Sequence, residues 1–358
     1  MTLRAREDDD GRRLDRILRK ALPSMPLSAL HRLLRRGLVL VDGRPGRGRD
    51  RIPAGARITV PESAGAGRPR PSPFIPGPGE NPGTRDPAAP WPAAPWPAAP
   101  RPAAPWSAGR DLPDILWEGA GLLVVNKAPG LAVHGGGPRG PAPGGEDTLE
   151  QGVRRYLAGR LPPSLSFTPG PLHRLDKPTS GIVVFSTTLA GARYFSALLR
   201  EGKIRKRYLG ILEGSLTKAA VWEEELYRAG GEQKTRVAGP PGKRPPGPDR
   251  GRRARTRVSP IARAAKDGAF YTLAEIGIDT GRTHQIRAQA AHHGHPLAGD
   301  RKYGGGPFPG RRGPGGFFLH AAELEIPGAP GDPPAQGLFF RAPPPEAFSS
   351  AVRELFGL

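Results

Sequence analysis

The chain contains no cysteine. That excludes disulfides, thiolate nucleophiles and cysteine-based zinc sites, and it leaves no redox signature of compartment. No apolar run approaches the roughly 18 residues that a membrane helix needs, and no amphipathic anchor compensates. The opening Met1-Thr2-Leu3-Arg4-Ala5-Arg6-Glu7-Asp8 lacks the apolar core of a secretory signal, so the cytoplasm is the expected compartment. Acidic residues are also scarce: 33 Asp and Glu face 54 Lys and Arg, a formal net charge of +21. Such a surface selects a polyanion, with nucleic acid well ahead of an anionic membrane. The hydrophobic fraction is 37%, low for one packed unit, because 51 Gly and 46 Pro gather in segments that cannot build a core. A length of 358 residues suggests two or three domains.

What is present begins with a basic unit over residues 11–61. Leu14, Ile17, Leu18, Ala21 and Leu22 fall at helical spacing, and Pro23 and Pro26 end that helix. Ser28 is placed to cap a second helix carrying Leu30, Leu33 and Leu34, with Gly37 after it. Leu38–Val41 reads as a strand, Asp42-Gly43 as a hairpin turn and Ile58–Val60 as the returning strand. Residues 62–111 change character. The run from Trp91 to Trp106 repeats Trp/Pro/Ala in fives, and proline at that density favours an extended spacer over helix or sheet. Residues 229–255, rich in Gly, Pro, Lys and Arg, read as a loop.

The chemistry concentrates beyond residue 112. In Pro171-Leu172-His173-Arg174-Leu175-Asp176-Lys177-Pro178-Thr179-Ser180-Gly181 a single carboxylate sits in a polar turn that feeds an apolar, β-branched strand, Ile182–Phe185. An acid at the mouth of a rigid element can be held in place. Downstream, strand 203–212 puts Lys206, Tyr208, Gly210 and Leu212 on one face. Further on, Thr280-Gly281-Arg282-Thr283-His284-Gln285-Ile286-Arg287 precedes a helix that Thr283 could cap and Gly294 end, followed by Gly294-His295-Pro296-Leu297-Ala298-Gly299-Asp300. Upstream lies the turn Asn126-Lys127-Ala128-Pro129-Gly130. His284, His292, His293 and His295 match no standard ligand spacing, so no metal is expected.

These blocks resemble the RluA-type RNA pseudouridine synthases, whose patterns read H-R-L-D-x-x-T-S-G, N-K-P-x-G, K-x-Y-x-A-x-V and T-G-R-x-H-Q-I-R. Ala128 departs from the first Pro of the second pattern, and Gly210 from the Ala of the third, which would leave more room near the site. The N-terminal unit resembles an S-four-like RNA-binding module. The resemblance implies an α+β fold: a mixed, mainly antiparallel catalytic domain over 112–358, joined through the 62–111 linker to an αα-β-hairpin domain. It implies an isomerase turning uridine in RNA into pseudouridine without a cofactor. Large-subunit ribosomal RNA is the first substrate candidate and transfer RNA the second. Asp176 would be the nucleophile, toward either ribose or base, with Arg287 as its ion-pair partner and Tyr208 packed against the target base, where it would assist proton removal from the rejoined carbon. Arg174 would fill the space left by the flipped nucleotide. His173, Arg282 and His284 would contact RNA at the site, and Arg32, Arg35, Arg36 and Arg44 would contact phosphates from the module. The rival reading is a non-catalytic RNA-binding assembly factor of the same fold, against which intact Asp176, Tyr208 and Arg287 argue.

Overall fold

Helical apolar spacing at the start of the chain does become a helix, inside a unit slightly larger than expected. The computed structural model describes residues 1–61, 113–135, 147–161, 164–228, 234–238, 251–308, 316–328 and 337–358. The first unit runs β1 (Thr2–Arg4), β2 (Arg12–Arg13), α1 (Leu14–Ala21), α2 (Leu27–Arg35), β3 (Leu40–Val41), β4 (Arg44–Pro45), β5 (Arg51–Ile52) and β6 (Arg57–Thr59). Leu14, Ile17 and Leu18 of α1 meet Leu30 and Leu34 of α2 over Val39, Ile52, Ile58 and Val60, forming a core of their own. Strand β1 lies ahead of the expected boundary at residue 11 and pairs with β6.

Two local expectations need correcting. Helix α2 starts after Pro26, not Ser28, because proline's extended ψ of 140° already makes the entry turn. Asp42 and Gly43 do form the tight turn, with φ of 48° and 81°. The strand returning from it is β4, however, while β6 pairs on the other edge of β3. The linker of 62–111 and its tryptophans Trp91, Trp96 and Trp106 lie outside the described residues, as does all of 136–146.

The second unit comprises β7 (Asp114–Gly119), β8 (Leu122–Lys127), α3 (Leu149–Leu157), β9 (Gly170–Pro171), β10 (Ser180–Ser186), α4 (Leu189–Arg200), β11 (Arg205–Glu213), β12 (Ala220–Arg228), β13 (Thr235–Val237), β14 (Arg252–Lys266), β15 (Ala269–Ile278), α5 (Gln285–His292), β16 (Leu319–Ile326), β17 (Leu338–Arg341) and α6 (Glu346–Phe356). Among the described residues its sheet has the order β13-β12-β14-β15-β11-β16-β10-β8-β7, with β17 on β16 and β9 on β10. Every pairing is antiparallel except β10 with β16. The expected loop at 229–255 is partly sheet: β13 pairs with β12, and β14 has already begun at Arg252.

The parallel junction matters most, because β10 emerges directly from the Asp176 turn. There Gly181 has φ of 106° and packs on the backbone of Ala321; a Cβ would lie 2.2 Å from that carbonyl oxygen. Beside it the Ser180 hydroxyl donates to His320 Nδ1 at 2.9 Å, while His320 Nε2 donates to the Ala342 carbonyl at 3.0 Å. Burial pulls this imidazole's pKa down to about 4, the Ala342 bond opposing, which keeps the ring neutral and the polar pair satisfied.

The two units touch. Asp9, fully buried, accepts from the Ser164 and Ser166 hydroxyls at 3.1 and 2.6 Å and from the Leu165 amide at 3.1 Å. Asp8 accepts from the amide of Leu189 at the head of α4, 2.7 Å away, where the helix dipole favours an anion. Leu165 packs on the core of the first unit. The first unit is therefore seated on the second.

Gly181→Ala should lower stability by about 2–4 kcal/mol, since it combines a positive φ with a backbone overlap. Chemical denaturation checks this; a change within 0.5 kcal/mol, roughly the size of an ordinary surface substitution, would mean that β10 and β16 can separate freely.

Candidate active site

The Asp176 turn is pinned from below by a buried cation. Lys127, at the end of β8, is 1% exposed, and its ammonium donates to the carbonyls of Ala128, Leu131 and Lys177 at 2.9, 2.8 and 3.1 Å. Three donors meet three acceptors, so the charge is fully hydrogen-bonded. Burial pulls the Lys127 pKa down to about 7, with the nearby Asp176 charge opposing. The Gly130 amide donates to the Lys177 carbonyl at 2.8 Å, tying the 126–131 turn to the Asp176 turn. Within the latter, the Thr179 amide donates to the carbonyl of Asp176 at 3.0 Å.

One guanidinium serves two carboxylates. Arg287 of α5 donates from Nη1 to Asp176 at 3.0 Å, and from Nε and Nη2 to Asp300 at 2.7 and 2.9 Å. Its planar cation lies between the rings of Tyr303 and Phe317, whose centroids are 4.8 and 4.4 Å from Cζ. Burial disfavours its charge, but the Asp300 bonds and then Asp176 outweigh that, so its pKa is raised. The bidentate fork on Asp300 fixes the plane and aims the remaining nitrogen at Asp176.

His284 stands on the other side of the carboxylate, its Nε2 3.8 Å from Asp176. The Thr235 amide donates to the Tyr303 hydroxyl at 2.8 Å, which leaves that hydroxyl free to donate to His284 Nδ1, 2.9 Å away. This arrangement turns the Nε2 proton toward Asp176. Burial lowers the His284 pKa, with Asp176 pulling it back up and Arg287 pushing it down. Thr283 does not cap α5: His284 takes the N-cap position with φ of 52° and no side-chain cap.

These groups open into a cleft of about 710 Å³. Its walls include Tyr208 of β11, which is 7% exposed. Burial and the Asp176 charge raise the phenol's pKa well above its ordinary value, so it is a neutral hydroxyl at physiological pH. Lys206, two residues back on the same strand, also lines the cleft, and burial pulls its pKa down to about 8. The space expected beside Gly210 is already taken: a Cβ there would meet Ile276 at 3.0 Å and Leu297 at 3.2 Å.

Most residues singled out in the sequence converge here. Asp176, Tyr208, Arg287, Arg174, His173, Arg282 and His284 all line this one cleft. His173 has a structural bond as well, because its Nε2 accepts from the Val184 amide at 3.1 Å. Burial, reinforced by the nearby Lys206 charge, pulls its pKa down to about 3. Arg32, Arg35, Arg36 and Arg44 are exposed on the first unit and do not line this cleft; Arg35 borders a separate groove with His31 and Arg47. Sequence reasoning missed the roles of Asp300, Tyr303 and Lys127. Asp300 and Lys127 stood inside recognised motifs, whereas nothing in its local pattern marked Tyr303. Among the described residues no group of three His, Asp or Glu side chains could hold a metal, and no helix is long and apolar enough to cross a membrane.

A profile of the RNA pseudouridylate synthase family matches residues 121–292, a span that holds Asp176, Tyr208 and Arg287. The chain belongs to that family. It is therefore an isomerase by class. The ribosomal large subunit pseudouridine synthase C of Salmonella typhimurium is 29% identical over 329 residues, covering 89% of this chain and 86% of that protein. The synthase D of Buchnera aphidicola is 33% identical over 194 residues, 53% of this chain and 54% of that one. In fold, the chain is similar to human RNA Pseudouridylate Synthase Domain Containing 1, with a TM-score of 0.52 and 22% identity over 69% of this chain and 90% of that one.

Asp300→Asn removes the charge that orients Arg287. It should cost about 3–5 kcal/mol of stability, the usual consequence of breaking a buried ion pair. Turnover at saturating substrate should fall about 100-fold through misplacement of the guanidinium. Denaturation and single-turnover assays check the two effects; wild-type values in both would remove Asp300 from the site. A second expectation concerns pH. Lys206 carries its charge below about 8 and loses it above, so affinity for an anionic substrate should weaken as pH rises through that value. Lys206→Arg, which stays charged, should flatten the step in a binding titration.

Proposed function

We propose that this chain converts uridines of large-subunit ribosomal RNA into pseudouridine, with Asp176 as the nucleophile. The observation that carries the reading is the Asp176–Arg287–Asp300 arrangement at the floor of a cleft lined by Tyr208. A nucleophilic carboxylate must be ionised and held still, and one arm of an oriented guanidinium favours both. The relatives named for large-subunit ribosomal RNA support the substrate.

The reaction breaks the bond between the base nitrogen and the ribose, turns the uracil and rejoins it to the same sugar carbon through a ring carbon, which then gives up its proton while the freed ring nitrogen ends with one. Reactant and product are isomers, so no redox group or nucleotide energy is consumed. The target base must leave its stack to reach Asp176, at a cost of a few kcal/mol. Arg174, exposed at the rim of the cleft, is suited to occupy the space the base vacates. Tyr208 supplies a flat wall for the uracil. The resemblance also implies that it assists proton removal from the rejoined carbon. Because burial and the Asp176 charge make its phenol hold its proton firmly, it does so by hydrogen bonding and packing, not as a resident phenolate. His284, neutral and pointing Nε2–H at the carboxylate, helps to hold Asp176 as its bonding changes.

Asp176→Asn keeps the shape but removes the nucleophile. Pseudouridine formation should disappear while RNA affinity stays within about three-fold, because the phosphate contacts are untouched. Mass-neutral isomerisation is read by chemical labelling of pseudouridine in ribosomal RNA. Substantial turnover by the purified variant would exclude Asp176 as the nucleophile.

A further inference from the structure

The seam between the two units holds a second basic cavity, distinct from the active-site cleft. It measures about 390 Å³ and is lined by Arg12, Arg13, Arg16 and Arg51 from the first unit and by Arg193 from α4 of the second. Nearby acids are already engaged. Asp15 pairs with Arg13 at 2.6 Å, Asp8 is held by the Leu189 amide, and Asp9 is buried among Ser164, Leu165 and Ser166. Arg16 and Arg193 are exposed and form no ion pair among the described residues. Burial lowers the pKa of Arg12; Asp9 pulls it back up, and the Arg193 and Arg16 charges then add to the lowering. Of the five arginines that line the cavity only Arg13 forms an ion pair among the described residues, so a positive potential remains that an anion would relieve.

Helix α4 connects this cavity to the site already described. Arg193 lines the seam, and Arg200 lines the active-site cleft. Seven residues separate them, which brings both to nearly the same helix face, roughly 10 Å apart along the axis. Exposed Ser196 lies between them. A polar, positively charged track therefore runs along one helix from the cleft to the junction.

We propose that the seam cavity is a phosphodiester-binding site, which takes the backbone of the RNA strand after it leaves the active-site cleft along α4. The proposal rests on the RNA reading above and adds the route of the strand. It differs from the arginines of the module's own outer face, Arg32, Arg35, Arg36 and Arg44, because it needs both units at once. An RNA bound there bridges them and favours their seated arrangement.

The test compares full-length protein with Arg16→Gln, Arg193→Gln and the double variant, with Arg263→Gln as a control for net charge. Arg263 is exposed on β14 and lines neither cavity. Affinity for a ribosomal RNA fragment is measured against salt, alongside KM and kcat for pseudouridine formation. Each lost phosphate contact should reduce the salt slope by about 0.7–0.9. The double variant should show a several-fold rise in KM with kcat and thermal midpoint unchanged, and the control should match wild type. An unchanged salt slope and KM in a folded double variant, or an equal loss in the control, overturns the site. If wild type binds RNA and the double variant loses slope, but no pseudouridine forms with either, the seam site stands and the proposed function falls.

Discussion

The geometry of the cleft depends on how the five N–H donors of one guanidinium are shared. Two nitrogens of Arg287 are committed to Asp300, which is almost fully buried, and a third is left for Asp176. The fork on Asp300 consumes the orientational freedom that a long arginine side chain would otherwise keep. Tyr303 and Phe317 close the faces of the plane, so the cation has little alternative position. Two carboxylates around one guanidinium still leave a net negative charge in a poorly solvated place. Lys127 beneath the turn offsets it, while Lys206 adds a second cation on the wall of the cleft. Both are themselves destabilised as cations by burial, which places them near the edge of protonation at neutral pH.

The three side chains proposed for the chemistry come from different rigid elements, and the sheet sets their separation. Asp176 precedes β10, Tyr208 lies on β11, and Arg287 lies on α5. Strand β16 sits between β10 and β11, parallel to the first and antiparallel to the second. Ala321 is the shared reference, since it is opposite Gly181 on one side and Tyr208 on the other. A shift of one residue in that strand would turn its side chains to the opposite face and separate acid from tyrosine. The tight Gly181 contact opposes such a slip.

Local signals in the chain carried much of this arrangement, and the reasons are physical. Thr148 with Gln151 forms the capping box that starts α3, and Gly202 ends α4 with a positive φ, both as their residue types dictate. The alternation Lys206, Tyr208, Gly210 is visible because strand periodicity is local. The parts that were illegible depend on distant partners. Asp300 and Tyr303 acquire their roles only when the chain returns to face α5 and β13. Gly210 looked like space, yet whether a missing methyl leaves a void depends on Ile276 and Leu297, which the local sequence cannot position. The pairing of β3 was misassigned because a short strand bonds on both edges, and no local pattern ranks the two neighbours.

The docking of the first unit has a consequence for the stretch between the units. With Val60 tied to Met1 at one end and Asp114 paired with Asn126 at the other, both anchor points of residues 62–112 are fixed in space. For a flexible chain joining two fixed points the closure entropy grows only with the logarithm of length, about 0.6 kcal/mol per doubling. Repeats of five residues can accumulate or disappear in such a segment with almost no thermodynamic selection against them. The length of this tract is thus compatible with an active site whose geometry is set by contacts on either side of it.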